Sequence, residues 1–380
     1  MEVRSSDVLL IGGGPSALLT ALTLPEERKV LLLEKTSKRN FTLGKRILVS
    51  GNGRCNFFNE DLLDPEFYQE HQELSFLNPD IAKEFLNYLE KDLGFAYRKE
   101  GKLYYPFFNR SECFLSCLLE GLKRRKNFEV YPLEAKRWDR EKKRIVAIDI
   151  EEKEVSLSYN DLYVAIGGRS FDRPTFPVAL FPKEVSFHPF SPLLCPVSVK
   201  EKIPSYLKNN RLKGRLSLFA GKKLLAYEDG EVLFKEDGLS GIALFNLTLP
   251  LTQAIEKGGK DFTFSLDYTL VEGKKLKEDT SFSCYPQFLK EYLKEKHLKR
   301  GEPLSFTFAS LYPFKDSQVT YGGFPLSLLN YPSFSYQEDP SYHVLGETLD
   351  LAFPCGGYNM GVSLLEGYLA GKNGRKEGTV

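Results

Sequence analysis

Along the chain, apolar and polar positions fall into three textures. Near the start an unbroken apolar run, Val8 to Ile11, has the pattern of a strand buried on both faces. Gly12, Gly13 and Gly14 follow, then an apolar segment, Ala17 to Leu24, that suits a short helix. A second apolar run, Val30 to Leu33, ends in Glu34. Strand, glycine-rich turn, helix, strand and acid in this order predict a βαβ unit of the dinucleotide-binding kind.

The next stretch is mixed. Residues 61–98 read as helical, most clearly Ile81 to Leu93, where apolar residues recur at three-to-four spacing. GKLYYPFF, 101–108, reads as a short strand. Ser111 to Arg124 reads as an amphipathic helix with Phe114, Leu115, Leu118 and Leu122 inward. FEVYPL, RIVAIDI and EVSLSY predict a small antiparallel meander beside the main sheet. DLYVAIGGRS, 161–170, predicts a buried strand returning to the parallel sheet, ending at Gly167-Gly168. It lacks a following apolar helix and acid, so no second nucleotide-binding unit is expected.

From about residue 190, short strand-like runs (PFSPLLCPVSV, RLKGRLSLFA, KKLLAYEDGEVLFKEDGLSGIAL, DFTFSLDYT) alternate with glycine, proline and charged turns. They predict an inserted β-barrel or sandwich. PQFLKEYLKEKHL, 286–298, reads as a helix within or closing that insert. The chain then returns to glycine-rich apolar language at 319–330 and 344–372. There a helix from Tyr358 to Ala370 is expected, with Leu364, Leu365, Tyr368 and Leu369 inward and Gly371 as its C-cap. The tail NGRKEGTV is expected to fray. The fold class is therefore α/β: a Rossmann-like domain from residues 1–190 and 310–380, interrupted by a β-rich domain at 191–309 that shapes the substrate side.

Charge and cysteine content narrow the partners. With 52 Lys and Arg against 51 Asp and Glu, the net charge of +1 gives no field that recruits nucleic acid or an anionic membrane. The run Lys123 to Lys126 reads as a solvated helix end. No apolar run is long enough to span a bilayer, and the first buried strand leaves no room for a signal peptide. The six cysteines form no C-x-x-C pair and no zinc spacing. A cytoplasmic protein with a small-molecule substrate and no metal is expected, its oligomeric state open.

The chemistry sits in the glycine-rich blocks. Gly12 permits the tight turn, Gly14 lets backbone approach a pyrophosphate, and the free N–H groups of the helix start that follows Pro15, beginning at Ser16, face the phosphates. Ala17 stands where a third glycine often sits, small enough for the helix to pack on the strand. Glu34 is spaced to hold a ribose, with Lys35 beside it. TLGKRILVSGNGRCNFFNE, 42–60, combines glycines, basic residues and asparagines, the composition of a backbone that approaches a ligand and presents many donors. Its candidate contacts are Lys45, Ser50, Gly51, Gly53, Arg54, Cys55 and Asn56. Gly167 and Gly168, where the returning strand ends beside the dinucleotide, join the cofactor candidates. Cys55 and Cys355 read as packing beside the cofactor rather than as a redox pair. No proton-transfer residue can be named: of His71, His188, His297 and His343 none has a motif around it, and His188 is only near the domain junction.

Taken together, IGGGPSALLTAL with Glu34, GKRILVSGNGRCNFFN, GEVLFKEDGLSG, VTYGGF and GETLDLAFPCGGYN resemble one family, bacterial FAD-dependent oxidoreductases that include aminoacetone oxidase-like and bile-acid-pathway flavoproteins. The resemblance spans nearly the whole chain. It implies that Gly12, Gly14 and Glu34 hold the FAD adenosine and pyrophosphate, that Ser50 to Asn56 lie along the flavin, and that Glu347 stands near the cofactor's linker. It also implies that Gly346 stands with Glu347 and that the block Gly356, Gly357, Tyr358 and Asn359 brings a helix start to the isoalloxazine. The chain departs from the family between Gly168 and Phe187, where it is shorter, at 101–106, where the family's G-R-V-F-P reads G-K-L-Y-Y-P, and in a reduced helical part of the insert. The expected reaction passes a hydride through FAD between NADH or NADPH, as a transient donor, or an organic donor and an acceptor or oxygen. A non-catalytic flavin-binding sensor or scaffold, and an NAD-dependent dehydrogenase, are the rivals.

Overall fold

The computed structural model describes residues 3–35, 42–170 and 176–374. The strand Val3–Ile11 lies at the centre of a mixed sheet, pairing in parallel with Val30–Leu33 on one side and Glu154–Val164 on the other. Phe128–Tyr131 adds a parallel strand beyond Val30–Leu33, and Asp339–Val344 adds one beyond Glu154–Val164. Val8, Leu9, Leu10, Val30 and Leu32 are fully buried, which is why these runs carry no alternation of polar residues. The helix Pro15–Thr23 follows the first strand and packs against two others, Ser111–Lys123 and Tyr358–Lys372.

The meander is not as the pattern predicts. FEVYPL supplies the parallel edge strand of the main sheet, so only Glu134–Asp139, Arg144–Ile148 and the start of Glu154–Val164 form the antiparallel part. EVSLSY and DLYV belong to one 11-residue strand that pairs with Arg144–Ile148 and with the first strand along its length. A polar residue inside it, Asp161, is buried against Arg28 at 2.7 Å, so the apparent break between two runs is an ion pair rather than a turn. Residues 61–98 hold one long helix, Pro79–Lys91, with shorter turns before it.

The insert is a closed antiparallel barrel of Val197–Val199, Gly238–Ser240, Lys223–Phe234, Arg211–Ala220, Phe262–Asp267 and Leu304–Leu311. Its core includes Leu216, Leu218, Val232, Phe234, Phe264 and Phe306. The insert also carries helices. Ile242–Glu256 is a 15-residue helix, hereafter the barrel helix, besides the expected one at Gln287–Glu295. Its sequence, IALFNLTLPLTQAIE, is apolar on more than one side because it is clasped between two domains. Leu244, Leu247 and Leu251 enter the barrel core, whereas Phe245 and Leu249 meet Leu193, Leu194 and Val319 at the domain junction. The sequence therefore shows little amphipathic period, and Pro250 breaks the helical texture further.

The last described helix, Tyr358–Lys372, runs past Gly371, which is a contact and not a cap. A methyl group built on Gly371 would lie 2.0 Å from Thr23 Oγ1 and 2.7 Å from the Thr20 carbonyl, so glycine there lets two helices touch through backbone. The polar turn after Glu34, the middle of the shortened segment after Gly168, and most of the tail lie outside the described residues.

Candidate functional site

At the mouth of the first turn, the Gly13 N–H donates to Glu34 Oε2 at 2.7 Å, which ties the acid to the turn it follows by twenty-one residues. Gly12 adopts φ +101°, and a methyl group on it would lie 2.3 Å from the Ala165 carbonyl, so the turn passes directly beneath the returning strand. Methyl groups on Gly14, Gly53 or Gly167 would meet nothing within 4 Å. Bare backbone from three separate blocks thus faces open space, with the Pro15–Thr23 helix start and the Glu34 carboxylate beside it. These residues fit the pyrophosphate and ribose of a dinucleotide such as FAD.

Polar side chains brace the floor. Arg46 donates to the Ser170 carbonyl at 2.9 Å and to Ser170 Oγ at 2.7 Å. Ser170 Oγ and the Thr320 N–H both donate to Glu347 Oε1, at 2.9 and 2.8 Å, and the Arg169 and Ser170 N–H groups donate to Thr320 Oγ1. Gly167 N–H donates to Thr348 Oγ1 at 3.0 Å. Behind them the Gly346 N–H donates to Glu366 Oε2 at 2.7 Å. Burial pushes the Glu366 carboxyl up to about 8.

The two asparagine- and glycine-rich blocks close on each other. With its amide oriented to satisfy both ends, Asn56 accepts from the Gly357 N–H and donates to the Phe58 carbonyl, each at 3.1 Å. Asn59 Nδ2 donates to the Gly356 carbonyl at 2.7 Å. Tyr358 Oη donates to Asp61 Oδ2 at 2.5 Å, and its ring stacks on Phe67. Burial alone would raise the Asp61 carboxyl, but hydrogen bonds from Lys102 and Tyr358 leave it below its ordinary value.

The insert reaches this turn through the barrel helix. Asn246 Oδ1 accepts from the Cys355 N–H at 2.9 Å, and its Nδ2 donates to Glu228 Oε2 at 3.3 Å. Burial raises the Glu228 carboxyl, the Asn246 hydrogen bond offsets part of this, and the charge of Asp229 adds to it. At the other end of the helix, His188 Nδ1 meets Asp350 Oδ2 at 2.8 Å and Nε2 meets Glu256 Oε1 at 2.9 Å. Tyr321 Oη donates to Glu256 Oε2 at 2.9 Å. Burial lowers the His188 imidazolium, yet Asp350 and then Glu256 outweigh it and raise the group above its ordinary value.

Not every candidate faces the open space. Lys35 pairs with Glu134 at 2.8 Å on the surface, and Lys45 stands 3.8 Å from Glu34. Arg54 pairs with Glu100 at 2.6 Å and lies over the Tyr105 ring. Asn359 uses both amide ends on Phe353 and so closes the turn that leads into the helix. Ser16 and Ala17 are buried, and Ser50 Oγ donates to the Ile47 carbonyl at 2.8 Å. Burial pushes the Cys55 and Cys355 thiols up to about 12 each, so both stay protonated and act as packing groups. Sequence reasoning missed Glu228, Asn246, Glu256 and Asp350, which lie in the barrel or in the loop it meets. It also missed Glu366, although a lone acid inside the apolar run VSLLEGYLAG was a legible signal.

The sequence model of one family, described as "HI0933-like protein Rossmann domain", matches residues 6–373. The chain is 23% identical over 411 residues to a 3-dehydro-bile acid delta(4,6)-reductase of Clostridium scindens, covering 96% of this chain and 97% of that one. It is 22% identical over 400 residues to a ribosomal RNA dihydrouridine synthase of Haemophilus influenzae, covering 93% and 94%. Among solved structures, the fold is shared with a 3-ketosteroid delta1-dehydrogenase of Sterolibacterium denitrificans at a TM-score of 0.50, 11% identity, and coverage of 97% of this chain and 99% of that one. It is also shared with a flavocytochrome c3 fumarate reductase in its open conformation, at a TM-score of 0.50, 12% identity, and coverage of 97% and 78%.

Proposed function

The chain belongs to the family of HI0933-like proteins with a Rossmann domain and is a FAD-dependent oxidoreductase; from that premise we propose that it hydrogenates a carbon–carbon double bond conjugated to a carbonyl, in a small molecule bound between the two domains. The observation that carries this reading is the closure of the barrel helix onto the Gly356–Gly357 turn through Asn246 and Cys355. It gives the site a cofactor side built from the Rossmann domain and an opposite side built from the insert. Two relatives matched over nearly their whole length, a delta(4,6)-reductase and a dihydrouridine synthase, carry names that both describe adding hydrogen across such a bond.

FAD, when bound, supplies the two-electron chemistry. This chain's residues then have separable tasks. Gly12, Gly14 and the Pro15 helix start receive the pyrophosphate, and Glu34 receives the ribose. The Asn56–Gly357 and Asn59–Gly356 contacts fix the turn that leads into the last helix, and a helix start beside the bound ring would favour developing negative charge. NADH or NADPH docks transiently as the donor, since the described residues hold one nucleotide-binding unit.

A small substrate is favoured over RNA because four basic residues around the site are already matched to acids. Arg54 pairs with Glu100, Lys99 with Glu60, Lys102 with Asp61, and Arg110 with Glu112. A surface that neutralises phosphates needs cations to spare. No helix among the described residues is long and apolar enough to cross a membrane.

The test is anaerobic reduction of FAD-loaded protein with NADH and NADPH, followed by mixing with a conjugated cyclic enone or with unmodified ribosomal RNA. Bleaching by a nicotinamide and recolouring by the enone is the expected result. Recolouring by RNA alone would replace the small-molecule reading, and a flavin that none of these reagents changes would overturn it.

A further inference from the structure

The barrel strand Lys223–Phe234 alternates faces, and Val232 and Phe234 on one face are fully buried in the barrel core. Gly230, on the same face, lies against Ala243 of the barrel helix, 3.3 Å from its Cβ to a methyl group that glycine omits. Two residues earlier the same face presents a carboxyl, Glu228, where the barrel core gives way to the cofactor domain. A half-buried acid at the end of an apolar row costs desolvation energy, which a cation would ordinarily offset. Here the hydrogen-bond partner is the neutral amide of Asn246, and the same amide accepts from the Cys355 N–H, next to Gly356 and Gly357.

We propose that Glu228 is the proton donor of this site, its carboxyl presented to the substrate from the barrel and oriented by Asn246. The inference rests on the reading of the protein as a flavin-dependent reductase of conjugated double bonds. In that reaction the carbon remote from the carbonyl takes a hydride, which reduced FAD would supply when bound. The electron pair of the double bond moves onto the neighbouring carbon as an enolate. The carboxyl O–H of Glu228 then breaks, its proton forms the new C–H bond, and the carboxylate is reprotonated from water. The charge balances: one hydride and one proton are added across the bond.

The groups around Glu228 favour its keeping that proton until it is needed. Asp229 on its own strand is negative, though paired with Arg215 at 2.7 and 2.8 Å. From the barrel helix comes Asn246, which is neutral. From the cofactor loop and the helix it starts come Cys355 and Tyr358, both held protonated by burial and therefore neutral neighbours. An acid beside a reacting carbon, in an apolar row and without a cation, is the arrangement general acid catalysis uses.

The experiment follows the two-electron midpoint potential of the bound flavin against pH in the wild-type protein and in Glu228→Gln, Glu228→Asp and Glu201→Gln. Glu201 is a barrel acid whose oxygens are both taken by Thr307. The expected result is a change of slope above the ordinary glutamate range in the wild type, lost in Glu228→Gln, restored in Glu228→Asp and kept in Glu201→Gln, with equal flavin content in all four. A coloured Glu228→Gln protein that keeps the change of slope would overturn this proposal alone. A wild-type protein that binds no FAD would overturn the reductase reading instead, and is recognised at once by its blank visible spectrum.

Discussion

Two helices of equal length meet at the cofactor turn, and they are held by opposite means. Ile242–Glu256 and Tyr358–Lys372 each have 15 residues, and each starts after a glycine at positive φ, Gly241 at 107° and Gly357 at 88°. The last helix is fixed by shape. Methyl groups on Gly367 and Gly371 would lie 2.2 Å from the Ser16 carbonyl and 2.0 Å from Thr23 Oγ1, so its backbone lies directly on the first helix. Besides the apolar contacts of Phe245 and Leu249, the barrel helix is held to the other domain by polar ends, Asn246 to Cys355 at one and Glu256 to His188, which also meets Asp350, at the other. Close-packed backbone tolerates almost no displacement, whereas side-chain bridges can lengthen, exchange or titrate. The Rossmann side of the site is thereby the rigid one, and the barrel side the adjustable one.

The largest effect should come from filling the tight contact. Gly367→Leu drives a side chain into the Ser16 carbonyl, and overpacking costs about 1–3 kcal/mol or more before the cofactor site is counted. Flavin content and thermal midpoint should both fall sharply. Unchanged values would show that the two helices are free to separate.

Asn246→Ala acts on the adjustable side. It leaves the Cys355 N–H and the Glu228 carboxyl without their amide, at about 1–3 kcal/mol for a buried group left unpaired. The protein should still bind flavin, with an altered visible circular dichroism. Full loss of flavin would move Asn246 to the rigid side of the comparison.

A legible part and an illegible part divide along the same line. The rigid side is made of local or strongly patterned sequence: three glycines after an apolar run, an acid after the next, and a G-G-Y-N block before an apolar helix. Its physics lies within the βαβ unit and a few short blocks, so spacing alone points to it. The adjustable side joins Glu228 to Asn246 and His188 to Glu256 from separate strands and a helix, and nothing in their neighbours marks them. Asn246 looks like one polar residue in an apolar helix until the barrel closes. Gly371 was misplaced as a cap because a glycine near a helix end signals a stop, while its contact with Thr20 and Thr23 depends on a helix some 350 residues earlier in sequence.

Smaller effects depend on pH. The Glu366 carboxyl is raised to about 8 in the fold. A raised carboxyl stabilises fully below its unfolded value, about 4.3, and that contribution is lost as pH rises toward about 8. Glu366→Gln should remove this decline in urea midpoints across the interval. An identical slope in both proteins would mean that the carboxylate is paired more strongly than its surroundings indicate.

The junction behaves likewise on a smaller scale. His188 is raised, so its contribution is complete below about pH 6.5 and lost as pH climbs through its higher folded value. His188→Gln should cost about 1 kcal/mol at mildly acidic pH and nothing above that window. A cost that does not vary with pH would make the contact a packing one. Smallest of all, Lys35→Ala should leave stability within about 0.5 kcal/mol and flavin affinity unchanged, because its partner Glu134 is a surface acid. A loss of FAD affinity would return Lys35 to the cofactor's side.

The most direct test of the central claim is the visible spectrum of the purified protein after incubation with FAD and removal of the excess. The account predicts stoichiometric flavin bands, retained through gel filtration and lost in Gly367→Leu. A colourless wild-type protein that is nonetheless folded would contradict it.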